Sequence, residues 1–154
     1  MDWVNDFSGR VIGLDTSPII YFVEENVEYF EVIHPFFEEL SSGKFRAVTS
    51  TITLLEVLVQ PYRKKHTTLA SQYKEILLNS QNLTVLPLLN ETSDEAAKLR
   101  GKYNIRTPDA VQVATAIYGG ASGFLTNDTK LRKIKEIEII VLDDIIKKIQ
   151  NNEN

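Results

Sequence analysis

The sequence predicts an α/β domain built around a mainly parallel sheet. Three observations carry this. Five short β-type runs punctuate the 154 residues, longer stretches with helical spacing separate them, and several helices open on a capping residue directly behind a strand.

The first run is VIGL (Val11–Leu14), preceded by an extension whose Trp3 is expected to pack on the domain. Ser17 followed by Pro18 reads as an N-cap and first helical residue. Tyr21, Phe22, Tyr29, Phe30, Phe36 and Phe37 make the next region rich in aromatics, which read as core in preference to interface. FRAVTS (Phe45–Ser50) is the second strand, and Ser50 or Thr51 can cap the helix carrying LLEVLV. Leu69, Tyr73, Ile76 and Leu77 recur at i, i+4, i+7 and i+8, the beat of one helical face.

LTVLPL (Leu83–Leu88) is the third strand, and Ala96, Leu99 and Tyr103 mark another helix. Thr107 and Pro108 read as N-cap and first residue of a helix that places Asp109 second. GFLTN (Gly123–Asn127) follows, with Asn127 or Asp128 starting a short helix that contains Lys130 to Ile134. EIIVLD (Glu138–Asp143) is the last strand. No Gly/Ser/Pro-rich linker or internal repeat divides the chain, so residues 1–150 form one expected domain and 151–154 a polar tail.

Composition bounds the function. A hydrophobic fraction of 43% and a charged fraction of 25% belong to a soluble globular chain. The absence of cysteine excludes disulfides, thiolate metal sites and a thiol nucleophile. MDWVNDFSGR carries acids where a secretory signal is basic, and no apolar run approaches a membrane span, so the cytoplasm is the expected location. With a net charge of -4, contact with nucleic acid must rest on local patches, for which Arg63–Lys64–Lys65, Lys130, Arg132, Lys133 and Lys135 are the candidates. His34 and His66 lie far in sequence from the acidic motifs and read as surface or packing residues.

Four acids stand out, each with a plain structural explanation. Asp15 can bond the backbone of a turn. Asp109, in the first turn of a helix, gains about 0.3–1 kcal/mol from the macrodipole. Asp128 can be an N-cap. Glu56, inside ITLLEVLV, can share a narrow solvent stripe with Thr53 and Gln60. Their combination argues for more. Asp15, Asp109 and Asp128 all fall at the carboxyl edge of the predicted sheet, and Glu56 points back towards it. Four bare carboxylates in one pocket repel and raise one another's pKa. Mg2+ or Mn2+ resolves that conflict, taking oxygen ligands without histidine or cysteine, and such a site can activate water against a phosphodiester.

LDTSPIIYF, STITLLEVLVQP, TPDAVQVATAIYGGASGFLTND and IEIIVLDD resemble the successive blocks of PIN-domain proteins, above all the VapC-type toxin ribonucleases of type II toxin–antitoxin pairs. The resemblance runs in the family's order from Val11 to Asp144. It implies a three-layer α/β/α domain and a metal-dependent endoribonuclease acting on single-stranded RNA. Asp15, Glu56 and Asp109 would then hold the principal Mg2+ or Mn2+, with Asp128 completing the pocket. Thr126 and Asn127 match the family's supporting hydroxyl or amide, and Thr16 or Ser17 would orient Asp15. It further implies a homodimer and a cognate antitoxin, both meeting the aromatic-rich helices and the helix from Thr51.

Two other classes compete. Asp15 could be a phosphorylated nucleophile, but DTS lacks a neighbouring acid two residues on, and no lysine closes the later strand before Lys130. A silent PIN-like module binding RNA or protein is the alternative, against which the intact acid set speaks.

Overall fold

The computed structural model describes residues 2–154. Their strands are β1 (Val11–Leu14), β2 (Arg46–Ser50), β3 (Leu83–Leu86), β4 (Gly123–Thr126) and β5 (Glu138–Val141). They form one five-stranded sheet in the order β3-β2-β1-β4-β5, and every pairing is parallel. The helices are α1 (Thr16–Val23), α2 (Phe30–Ser41), α3 (Thr51–Arg63), α4 (Thr67–Asn79), α5 (Asn90–Lys102), α6 (Thr107–Tyr118) and α7 (Leu142–Glu153), with 3-10 turns at Asn5–Phe7 and Thr129–Lys133. The polar residues 151–154 are exposed, and α7 runs through Glu153. No helix among the described residues is long and apolar enough to cross a membrane.

Two cores flank the sheet, because side chains alternate across a strand. On one face, Ile12, Leu14 and Leu125 join Val32, Ile33, Phe36, Val57, Tyr73 and Leu77 from the helices. On the other, Phe124 meets Leu99, Val113, Ala114 and Ala116 of α5 and α6. Gly13 belongs to this second face. A Cβ there would stand 2.4 Å from the Cβ of Ala116, so only glycine lets α6 lie this close to the central strand.

The aromatic-rich region is mostly core. Phe36 and Phe37 are buried, and Phe22 stacks on Phe37 at 4.2 Å between ring centroids. Trp3 stacks on Phe36 and donates its indole N–H to the carbonyl of Val32 at 3.0 Å. His66 caps α4 by accepting from the amide of Leu69, and His34 faces Glu38 one turn along α2.

Three predicted strands run one or two residues too long at their carboxyl ends, and the second begins one residue early. Pro87 has no N–H to extend β3, Asn127 turns away to bond the next elements, and Leu142 already starts α7. Two helix starts also move. α1 is capped by Asp15, not Ser17, because its carboxylate accepts from the amide of Thr16. Pro18 is therefore the third helical residue, where its missing N–H still costs no bond. α6 begins after Arg106, which makes Asp109 its third residue. The hydroxyl of Thr107 does not cap; it accepts from Arg100 at 3.0 Å.

The strand order positions the site. From β1 the chain steps outwards through β2 to β3, then crosses back to place β4 and β5 on the other side. The direction reverses between β1 and β4, and ligands of parallel sheets bind beyond the carboxyl ends at such a switch point. Asp15 follows β1 there, and Asn127 and Asp128 follow β4.

Candidate active site

A cavity of about 440 Å3 opens at that switch point, lined by Asp15, Thr16, Ser17, Ile20, Tyr21, Glu56, Arg106, Asp109, Asn127 and Asp128. All four predicted acids face it. Four elements deliver them: the end of β1, the middle of α3, the first turn of α6 and the turn after β4.

Asp15 is held at both of its carboxylate oxygens. One carboxylate oxygen accepts from the amide of Thr16 at 2.8 Å and the other from the hydroxyl of Thr126 at 2.7 Å. Its amide in turn donates to the carbonyl of Leu125 at 2.9 Å, tying the end of β1 to β4. Burial pushes its pKa from 3.8 up to about 6. The two hydrogen bonds oppose that rise, and the charges of Asp109 and Glu56 add to it.

Each remaining acid has its own donor. Asp128 caps the Thr129–Lys133 turn through the amide of Lys130, and its own amide donates to Thr126 at 3.0 Å. Glu56 accepts from the hydroxyl of Thr16 at 2.9 Å. Asp109 meets the guanidinium of Arg106 at 3.1 and 3.4 Å. The side chain of Asp109 is 12% exposed and that of Arg106 76%, so the arginine covers the carboxylate from the solvent side. After Asp109, the charges of Asp128 and Glu56 also act on this guanidinium.

The supporting residues divide by task. Thr126 holds Asp15 directly. Thr16 uses its amide on Asp15 and its hydroxyl on Glu56. Asn127 touches no acid of the cavity; it donates to the hydroxyl of Tyr21 and accepts from the amide of Asp143. Ser17 lines the wall.

Beneath the acids lies a buried polar chain that sequence reasoning missed. The amide nitrogen of Gln112, on α6, donates to the hydroxyls of Thr53 at 2.6 Å and Thr16 at 3.1 Å. Its amide oxygen accepts from Ser50 at 2.6 Å. Thr53 lies 2.8 Å from Thr49, whose hydroxyl donates to the carbonyl of Leu14. Thr53 is therefore fully buried, which removes the expected solvent stripe with Glu56 and Gln60. Since both donors of Gln112 are used, the Thr16 hydroxyl receives one of them and keeps its own proton for Glu56. The only hint in the sequence is one amide within the apolar run AVQVATA.

The donor set fits a hard divalent cation. It consists of oxygen alone, and the carboxyl of Asp15, raised first by burial and further by the charges of Asp109 and Glu56, is one that a nearby cation would stabilise in its charged form. Among the described residues, no three acidic or histidine side chains are already drawn together as ligands would be. Mg2+ tolerates this, as it is typically held by one or two carboxylates and keeps several waters. Asp109 would have to exchange Arg106 for the ion. The expected basic contacts lie elsewhere: Arg63–Lys64–Lys65 closes the far end of α3, Arg132 pairs with Asp144, and Lys133 donates to the carbonyl of Asn104.

The profile of the PIN domain matches residues 12–137 of the chain. No curated protein sequence matches it. Among solved structures, VapBC2 of Rickettsia felis bound to a fragment of its promoter DNA is similar at 19% identity, with a TM-score of 0.69 over 85% of this chain and 98% of that one. DNA-bound VapBC of Salmonella typhimurium gives 18%, 0.61, 87% and 98% in the same order. Mycobacterium tuberculosis VapC20, a toxin that cleaves the sarcin–ricin loop, gives 16%, 0.61, 83% and 98%.

The raised pKa of Asp15 has a signed consequence for stability. The folded chain holds this proton more tightly than the unfolded one, so the contribution is full below 3.8 and is lost as the pH rises through about 6. In EDTA, Asp15→Asn should therefore gain melting temperature relative to the wild type between about pH 4.5 and about pH 7.5. An offset that stays constant across that interval would contradict the raised pKa of Asp15 in the metal-free site.

Proposed function

The chain belongs to the PIN-domain family, and from that premise we propose that it is a Mg2+- or Mn2+-dependent endoribonuclease, the toxin of a toxin–antitoxin pair. The observation that carries this reading is the convergence of Asp15, Glu56, Asp109 and Asp128 on one cavity at the switch point of an all-parallel sheet. The loop cleavage by the similar VapC20 supports a cleaving toxin.

Asp15, Glu56 and Asp109 would hold the cation, with Asp128 completing the pocket. A divalent ion bound there supplies Lewis acidity at a phosphate oxygen. The protein contributes position. Thr126 and the amide of Thr16 fix both oxygens of Asp15. The Thr16 hydroxyl, set by Gln112, fixes Glu56. No serine, threonine or tyrosine serves as a covalent nucleophile in this scheme, and water is the attacking group. The substrate is single-stranded RNA and the site of action the cytoplasm.

Purified protein should cleave single-stranded RNA when Mn2+ or Mg2+ is added, and EDTA should stop it. Cleavage that persists under thorough chelation would overturn the metal-dependent scheme. RNA binding without cleavage at any divalent ion would favour the silent module.

A homodimer belongs to the same proposal. Leu55, Val59 and Tyr62 are exposed on α3 at i, i+4 and i+7, an apolar stripe that a monomer leaves bare. An antitoxin is proposed as a further partner, since the similar VapBC structures are toxin–antitoxin assemblies. Light scattering at micromolar concentration should give twice the chain mass; a strict monomer would contradict the dimer.

A further inference from the structure

Arg106 is the one cation among the residues lining the acidic cavity. Its position is built by its surroundings. Its extended backbone caps α6, so the side chain leaves the helix start on the solvent side of Asp109. Arg100 braces the preceding turn by donating to the carbonyl of Ile105 at 2.9 Å and to the hydroxyl of Thr107 at 3.0 Å. Among the described residues the guanidinium itself is bound only to Asp109, through two of its nitrogens.

We propose that Arg106 is an exchangeable arm: it neutralises Asp109 until a divalent cation takes that carboxylate, and the freed guanidinium then clamps a phosphate of the RNA. The inference rests on the nuclease reading above and adds a residue that reading does not use. Two properties support it. A guanidinium pairs in the same two-pronged way with carboxylate and with phosphate, so the arm changes partners without changing its mode of bonding. The pair is asymmetric, with a nearly covered acid and a largely exposed base, so releasing Arg106 moves only the solvent-facing member.

The exchange predicts effects of opposite sign on two ligands, which loss of a merely structural residue does not produce. The variants are Arg106→Ala and the longer, uncharged Arg106→Gln. Both should fold, since the side chain is mostly in solvent; melting curves check this. Isothermal titration with MnCl2 alone should give tighter binding in both, by roughly twofold to fivefold, the scale of an exposed ion pair. Binding of a labelled single-stranded phosphorothioate RNA at saturating Mn2+ should weaken. The slope of log affinity against log salt should become shallower by about 0.7, as for one lost phosphate contact on a single strand. In EDTA, where the fork stays on Asp109, wild type and variants should share one slope.

Unchanged or weaker Mn2+ binding in the variants would overturn the exchange while leaving the metal site intact. Equal salt slopes at saturating Mn2+ would do the same, and a difference that is also present in EDTA would make Arg106 a fixed RNA contact. A wild type that binds no Mn2+ would remove both the inference and the nuclease reading on which it rests.

Discussion

The convergence of four carboxylates on one small cavity, with Asp15 desolvated among them, is the constraint on which the rest of this site depends. Parallel strands deliver their following segments to one edge, and the strand order opens a crevice there. Acids brought together in such a place are unstable neighbours. The fold manages this by giving each its own donor: backbone amides for Asp15 and Asp128, a hydroxyl for Glu56, a guanidinium for Asp109. Burial nonetheless holds the pKa of Asp15 up at about 6. The charges of Asp109 and Glu56 add to that rise, and a cation among these oxygens would offset both effects.

Rigidity beneath the acids comes from polar groups in an otherwise apolar interior. Gln112 joins α6 to α3 and to the start of α1, and Thr49 carries the chain on to the backbone of β1. Buried amides and hydroxyls are costly when unpaired, and Gln112, Ser50, Thr53 and Thr49 each have a partner. The network fixes the direction of the Thr16 hydroxyl and so the placement of Glu56. On the opposite side of the same site, Arg106 is the exposed counterpart, bonded among the described residues only to the carboxylate that it covers.

The sequence disclosed the elements and the four acids because both signals are local. Strand runs, capping residues and acids behind strands can be read within a few positions, and the sheet carries them to one edge as parallel topology requires. Its errors arose where several side chains compete for one polar group, some near in the chain and some far. Thr107 looks like a cap until Arg100 takes its hydroxyl. Thr53 looks like part of a solvent stripe until Thr49 and Gln112 close over it. Periodicity alone does not separate a polar residue facing water from one facing another polar residue. Arg106 escaped notice for a related reason: its bond to Asp109 is local, but the cavity that gives the bond meaning is assembled from four separate elements.

The central claim is that Glu56 and Asp109, on different helices, serve one ion. The direct measurement is Mn2+-dependent RNA cleavage by Glu56→Gln, Asp109→Asn and the double variant, with melting curves recorded beside it. Residues that act as a unit are non-additive. Each single change should therefore abolish most turnover while the fold persists, and the double change should cost little more than either. Turnover near the wild-type rate in either single variant would return that residue to a structural role and contradict the shared site.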